Sequence, residues 1–94
     1  MGTIRTVRIS VTERALRKLP HHVVNALMRW VEAVEADGLQ ETRKVPGFHD
    51  EPLKGKRRGQ RSIRLSMAYR AIYVVTEDGA AEIADVVEVN KHKY

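Results

Sequence analysis

The chain of 94 residues carries a formal net charge of +5, with 43% hydrophobic and 31% charged residues. This composition is ordinary for a soluble globular protein and too apolar for a disordered one, and the length allows one domain, residues 1–94, around a single core. The chain has no cysteine, which excludes disulfides, thiolate-bound metals and cysteine nucleophiles. No apolar run reaches the ~18 residues of a membrane span. We therefore expect a cytoplasmic protein with no membrane partner. We also predict no cofactor and no metal ligands.

The N-terminal part of the chain predicts one strand and two helices. Apolar and polar side chains alternate over residues 4–11, which is typical of a half-buried strand. Thr12 is suited to cap a short helix over residues 13–18, and Pro20 ends that helix and favours the first turn of another. Apolar residues then follow at helical spacing until Gly38, a residue type common at helix C-termini. This segment is therefore expected to form a helical hairpin.

The rest of the chain predicts a loop and three strands. Prolines and glycines punctuate residues 39–59, which are expected to form the loop. Strands are predicted over residues 60–66, 69–76 and 81–89, the last two joined by a hairpin turn at Glu77-Asp78-Gly79. The order of one strand, two helices and three strands indicates an α+β fold. In it, the N-terminal strand and a three-stranded antiparallel meander form one curved antiparallel sheet with the helices on one face.

Positive charge is concentrated at the end of this loop and in the strands after it. Residues 54–70 contain seven basic residues and no acidic one, whereas the other residues contain ten basic and twelve acidic ones. Gly55 and Gly59 bracket the basic loop, and Arg64 and Arg70 belong to the two following strands. Such a surface suits contact with phosphates and stabilisation of charge during phosphoryl transfer. The alternative is a solvated loop with Arg64 in a surface ion pair, and the lack of local acids favours nucleic-acid binding.

A family resemblance lies in this basic segment and the strands around it. Its motifs are Pro52-Leu53-Lys54-Gly55, Gly59, Arg61-Ser62-Ile63-Arg64-Leu65 and Tyr69-Arg70-Ala71-Ile72-Tyr73. They resemble the core of RelE-superfamily toxins, in particular of the HigB and YafQ branches, and residues 12–19 look like the first helix of these toxins. The resemblance implies a RelE-like fold and a toxin of a type II toxin–antitoxin module.

The same resemblance implies an activity and a set of partners. Such toxins are mRNA interferases, endoribonucleases that usually cleave mRNA on the ribosome. The 2′-hydroxyl attacks the adjacent phosphate without a metal ion, which leaves a 2′,3′-cyclic phosphate. The partners implied are a cognate antitoxin, mRNA and the ribosome, and the toxin is expected to be a monomer outside the antitoxin complex.

The site residues follow partly from the resemblance and partly from charge. Arg70 matches the arginine that stabilises the phosphate, Arg64 stands where the family has a catalytic Lys or His, and His92 resembles a C-terminal catalytic His. An arginine stays protonated, so His92 is predicted to transfer the proton. The predicted catalytic residues are Arg64, Arg70, His92 and Tyr94. The predicted RNA- or ribosome-binding residues are Lys54, Lys56, Arg57, Arg58, Arg61 and Tyr69.

Just before the motif, the chain departs from the family pattern. YafQ-like proteins have a His directly before the Pro-Leu pair, where this chain has Glu51, and His49 lies two residues earlier. His49 is therefore an alternative to His92 for proton transfer. Asp50 and Glu51 resemble a paired-carboxylate site, but they lack acidic companions and are interpreted as solvated loop residues.

A second function stays open at this point. ParE-like relatives share the fold and inhibit DNA gyrase by binding rather than by cleaving RNA. Such proteins generally lack the set of Arg64, Arg70, His92 and Tyr94, which favours the endoribonuclease.

Overall fold

The computed structural model describes residues 3–91, so His92 and Tyr94 lie outside the described part of the chain. The described part contains three α-helices and five strands. The helices are α1 (Glu13–Arg17), α2 (His21–Asp37) and α3 (Leu39–Arg43). The strands are β1 (Val7–Ile9), β2 (Glu51–Pro52), β3 (Gln60–Arg64), β4 (Tyr69–Asp78) and β5 (Ala81–Lys91). Single 3-10 turns lie at Pro46–Phe48 and Gly55–Arg57.

The predicted helical hairpin is confirmed, and its ends have the expected causes. The Thr12 hydroxyl accepts a hydrogen bond of 3.1 Å from the backbone N–H of Ala15, which caps α1. Gly38 ends α2 with a φ of +89°, and a Cβ atom at this position would collide with the side chain of Thr3. Glycine is therefore required here both by the backbone angle and by the close approach of the N-terminal segment.

Residues 39–59 differ from the predicted loop, because they contain α3 and β2. Leu39 and Thr42 are each only 1% exposed, and the Thr42 hydroxyl donates a 2.8 Å hydrogen bond to the carbonyl oxygen of Gly38. A five-residue helix is too short to be stable by propensity alone, so burial of these two side chains stabilises it. Prolines and glycines mark the ends of such short elements and do not reveal their presence.

The five strands form one sheet in the order β1-β5-β4-β3-β2. The antiparallel meander of β3, β4 and β5 is confirmed, and so are the α+β class and the curved sheet. However, β1 pairs parallel with β5, with Val7 beside Ala84, so the sheet is mixed and not antiparallel throughout. Side-chain alternation predicts which face of a strand is buried but carries no information about strand direction.

The hydrophobic core lies between α2 and one face of the sheet. Trp30 of α2 is fully buried, and its ring centroid lies 5.0 Å from that of Tyr73 on β4. Since side chains alternate along a strand, Ile63 and Tyr73 face the helices, while Arg64 and Arg70 face away from them. The surface away from the helices is therefore available to a site. Within residues 3–91, no helix has the length and hydropathy needed to cross a membrane.

Candidate functional site

A groove on the sheet face that points away from the helices brings the two predicted catalytic arginines together. Arg64 of β3 lies opposite Arg70 of β4, and Arg70 lies opposite Asn90 of β5, so the three form a row across the sheet. The groove has a cavity volume of about 670 Å³. Its lining includes Glu51, Arg57, Ser62, Arg64, Arg70 and Asn90.

The guanidinium group of Arg70 is held by three neighbours. It donates to the Ser62 hydroxyl through Nε (3.1 Å) and Nη2 (2.8 Å). Nη2 also donates to the carbonyl oxygen of His49 (3.1 Å) and to the Glu51 carboxylate (3.2 Å). Within residues 3–91, Nη1 has no hydrogen-bond partner. Arg70 is thus oriented in advance, with one nitrogen left to bind an anion.

Arg64 meets the ring of His49. Its Nη1 lies 3.4 Å from Nε2 of His49, and no carboxylate of the described residues lies within ion-pair distance of it. His49 adopts a left-handed backbone conformation with a φ of +45°, which is uncommon for a residue other than glycine. In this conformation the His49 ring contacts Arg64 while its carbonyl oxygen accepts from Arg70.

One arginine of the basic loop forms an ion pair with the sheet, whereas three neighbouring cations are exposed. Arg57 donates to both carboxylate oxygens of Glu88 on β5, at 2.8 and 3.1 Å. The hydrogen bond from Arg57, followed by one from Asn90, lowers the pKa of Glu88 below its usual value. Lys54, Lys56 and Arg58 are exposed, and in the part of the chain that the structure describes they form no ion pair. These three cations are therefore open to an external polyanion.

Arg61 lies on the other side of the sheet from the groove. Its Nε donates to Asp50 at 2.6 Å, and the side chain of Asp50 is completely buried. The Tyr73 hydroxyl donates to the second oxygen of Asp50 at 2.5 Å. The structure therefore separates Arg61 from the groove and from the exposed cations of the basic loop. It also corrects the interpretation of Asp50 as a solvated residue.

Tyr69 is likewise set apart from the groove. Its partly buried side chain packs against the hydrophobic core, on the same strand face as Tyr73. His92 and Tyr94 lie outside the described residues, so their placement stays a prediction. The last described residue, Lys91, does line the groove.

Four polar residues in or beside the groove were not predicted as site residues: Glu51, Ser62 and Asn90 of the lining, and Glu88, which pairs with Arg57. Ser62 could have been found, because strand alternation puts it on the same face as Arg64. Glu88 and Asn90 required the register of β5 against β4. Glu51 required β2, which is two residues long and gives no periodic signal. Across residues 3–91, no three His, Asp or Glu side chains are grouped as a metal site would need.

Several proteins of known structure resemble this fold. No protein-family model matches the chain, and the search of curated proteins gives no match. Among solved structures, a YoeB/ParE toxin from Agrobacterium tumefaciens has a TM-score of 0.63 and 17% identity, over 94% of this chain and 99% of that chain. The toxin–antitoxin complex RelBE2 from Mycobacterium tuberculosis has a TM-score of 0.63 and 23% identity, over 97% of this chain and 100% of that chain. YafQ from E. coli has a TM-score of 0.65 and 15% identity, over 93% and 92%. The chain therefore has a RelE/YafQ-type fold, as predicted.

Proposed function

We propose that this protein is the toxin of a type II toxin–antitoxin module and that it cleaves mRNA on the ribosome. The observation that carries the proposal is the pair of Arg64 and Arg70 beside the Glu51 carboxylate in one groove. Two cations next to a proton acceptor suit a phosphoryl transfer, in which negative charge develops while a proton is removed. The fold, which is that of toxins, supports the same class of function.

In the proposed reaction, the groove binds the scissile phosphate of an RNA strand. Arg70 is oriented by Ser62, His49 and Glu51 and offers Nη1 to a non-bridging phosphate oxygen. Arg64, on the neighbouring strand, approaches the same phosphate from the other side. Fixed donors stabilise a developing charge better than water, because they need no reorganisation as the charge forms.

The chemical step is an internal transesterification. The 2′-oxygen forms a bond to phosphorus while the bond from phosphorus to the 5′-oxygen of the next nucleotide breaks. One proton leaves the 2′-hydroxyl and one is delivered to the departing 5′-oxygen, so the products are a 2′,3′-cyclic phosphate and a free 5′-hydroxyl. Side chains supply both proton transfers and the charge stabilisation in this scheme, which makes it metal-independent.

Three residues are proposed for the proton transfers. Glu51 lines the groove, its side chain is 64% exposed, and it meets Arg70 at 3.2 Å, so its carboxylate is accessible to a 2′-hydroxyl. The ring of His49 lies next to Arg64. His92 follows Lys91 in the sequence and stays our predicted proton carrier, and Tyr94, two residues further along the chain, stays a predicted catalytic residue. Glu51 is included because of its position in the groove, since the sequence did not predict it as a proton carrier.

Binding of the substrate and of the antitoxin is proposed to use the same positive surface. Lys54, Lys56 and Arg58 are exposed and unpaired within the described residues, and suit contacts with the backbone of mRNA or ribosomal RNA. Arg57 would exchange Glu88 for a phosphate. A cognate antitoxin would cover this surface with an acidic or amphipathic segment in the cytoplasm, because an uncovered cationic surface binds RNA indiscriminately.

Controlled expression in bacteria tests this function. We expect growth arrest and new mRNA 5′ ends inside translated regions within minutes of induction, and neither effect with Arg70→Ala. Co-expression with the antitoxin should suppress both. Intact mRNA together with gyrase-dependent DNA breaks would contradict the proposal and support a ParE-like gyrase inhibitor instead.

A further inference from the structure

The segment of residues 49–51 reaches both faces of the sheet. Asp50 points to the helix-facing side, where its side chain is completely buried. Its two neighbours point to the groove: the His49 carbonyl oxygen and the Glu51 carboxylate both accept hydrogen bonds from Arg70. One buried side chain is therefore flanked in sequence by two of the three residues that orient the groove arginine.

The Asp50 carboxylate is fully engaged on the buried side. Oδ1 accepts from Arg61 at 2.6 Å and Oδ2 from the Tyr73 hydroxyl at 2.5 Å. The Nε of Arg43 donates to the Tyr73 oxygen at 3.2 Å, which completes a chain of polar contacts beneath the sheet. A buried carboxylate without partners is strongly disfavoured, so the segment is stable only where Asp50 reaches both donors.

Backbone pairing alone holds this segment weakly. β2 has two residues, Glu51 and Pro52, and a proline has no N–H to donate to a neighbouring strand. The residue before Asp50 is His49, in a left-handed conformation that a free chain rarely adopts. The two backbone pairs of β2 with β3 are too few to fix such a segment. The contacts of the Asp50 side chain with Arg61 and Tyr73 can fix it, because they form in only one arrangement of the segment.

We propose that Asp50 is a positioning residue of the groove: its contacts with Arg61 and Tyr73 hold residues 49–51 where they orient Arg70. The orientation of Arg70 is a property of the free protein. Its consequence for RNA binding rests on the proposed function. The role of Arg61 changes accordingly, from a contact of RNA to a partner of the residue that shapes the RNA site.

The first test measures Arg70 directly, in the free protein. The side-chain N–H resonances of Arg70, assigned with Arg70→Lys, should be dispersed in the wild type and should shift and broaden in Asp50→Asn. Asp85→Asn is the matched control, since Asp85 is a second buried aspartate, paired with Arg8 at 2.8 Å and away from the groove lining. It should leave the Arg70 resonances unchanged. The variant Tyr73→Phe removes one of the two donors to Asp50 and should give a smaller shift.

The second test uses a 2′-O-methyl RNA, which binds without being cleaved, and a double-mutant cycle. Asp50→Asn should weaken binding about tenfold, the effect of losing one charge-assisted contact. In the Arg70→Ala background the same substitution should change affinity by less than about twofold, because Asp50 then has no arginine to position. A residue that merely stabilises the fold would have the same effect on binding in both backgrounds, and for Asp85→Asn we expect no change of affinity in either.

The outcomes separate the inference from the proposed function. Unchanged Arg70 resonances in folded Asp50→Asn would overturn the positioning role, and so would equal effects in both backgrounds. If Asp50→Asn does not fold, the positioning role is tested with Tyr73→Phe instead. Arg70 resonances identical to those of the wild type in Tyr73→Phe would overturn the inference. Wild-type protein that does not bind RNA, together with the expected resonance shift, would leave Asp50 as the positioning residue and remove RNA as the ligand.

Discussion

At the scale of single residues, the groove depends on two arginines that are held differently. Arg70 donates to a hydroxyl, a carbonyl and a carboxylate group, whereas the one polar contact of the Arg64 side chain within residues 3–91 is with the ring of His49. Alternation along β3 is enough to indicate that Arg64 faces away from the core. Two of the three partners of Arg70 could not be predicted, because His49 and Glu51 lie about twenty positions earlier and reach it only through β2.

The arginines should affect the chemical step. Arg70→Ala and Arg64→Ala should each lower the single-turnover cleavage rate by roughly a hundred- to a thousand-fold, since one donor to a developing oxyanion contributes about 3–4 kcal/mol. Arg70→Lys keeps the charge but loses the planar fork and should lie between Arg70→Ala and the wild type. Circular dichroism checks that each variant is folded. A folded Arg70→Ala protein that cleaves at the wild-type rate would remove Arg70 from the mechanism.

The proton carriers should be distinguishable by isosteric changes. We expect His92→Gln and Glu51→Gln to lower cleavage at least about a hundredfold with unchanged thermal stability, the lower range of general acid–base catalysis. A loss that is confined to one limb of the pH–rate profile assigns that residue as acid or base. If His92→Gln cleaves as fast as wild type, His92 takes no part, and His49→Gln becomes the next variant to measure.

The exposed cations of the basic loop should affect affinity rather than rate. Lys56→Ala and Arg58→Ala should each reduce the slope of log affinity against log salt by about 0.7–0.9, which corresponds to one fewer phosphate contact. The rate at saturating RNA should stay near wild type. Lys18→Ala, an exposed cation on the opposite side of the sheet, serves as the control with an unchanged slope. Equal slopes for all three variants would argue against the loop as the RNA contact.

At the scale of elements, long regular segments could be predicted from the sequence and short ones could not. The 17 residues of α2 repeat their apolar positions over several turns, which gives a clear helical period. α3 and β2 have five and two residues, too few for any period, and both depend on tertiary contacts. The register of β3, β4 and β5, which lines up Arg64, Arg70 and Asn90, also comes from the fold and not from any one strand.

The junction of α2 and α3 is the element boundary with the strictest requirement. Gly38→Ala should destabilise the protein by about 2–4 kcal/mol, because the positive φ is strained and the new Cβ meets Thr3. Gly79→Ala is the matched control: its φ is +66°, but nothing lies within 4 Å of the added atom, so about 1 kcal/mol is expected. Urea denaturation measures both. Equal losses would mean that the contact with Thr3 is unimportant.

At the scale of the whole molecule, the fold pairs part of the basic segment with acidic residues from elsewhere in the chain. The basic segment has no acids in its own sequence, yet the fold brings Asp50, Glu51 and Glu88 to it, each paired with one of its arginines. The net positive surface is therefore smaller than the sequence suggests and is concentrated on Lys54, Lys56, Arg58 and Arg64. Composition measures how much charge a segment carries, but ion pairs between distant residues decide how much of it faces a partner.

Stability against acid should depend on the buried Asp85 and its half-exposed partner Arg8, near the β1 edge of the sheet. Burial alone would raise the pKa of Asp85, but hydrogen bonds from Arg8 and Ser10 and the charge of Arg8 lower it below its usual value. Its stabilising contribution is thus complete above about pH 4, the pKa of an aspartate in an unfolded chain, and is lost as pH falls through the lower folded pKa. Asp85→Asn should lower the free energy of unfolding by about 1–3 kcal/mol at pH 7. Below pH 4, the free energy of unfolding of this variant should decline less steeply than that of the wild type. Urea denaturation at pH 7 and below pH 4 tests this prediction. If the free energies of unfolding of wild type and Asp85→Asn fell in parallel with pH, the prediction would be contradicted.

The chemistry of the RNA ends tests the central claim most directly. Purified protein is incubated with ribosomes on an mRNA, and the ends of the fragments are identified, with a second mRNA that carries a single 2′-deoxy nucleotide at the cleavage site. Attack by the 2′-hydroxyl in the groove of Arg64 and Arg70 predicts 2′,3′-cyclic phosphate and 5′-hydroxyl ends. It also predicts no cleavage at the 2′-deoxy position and little cleavage by Arg70→Ala. Fragments with 3′-hydroxyl and 5′-phosphate ends, or full cleavage of the 2′-deoxy mRNA, would contradict the mechanism.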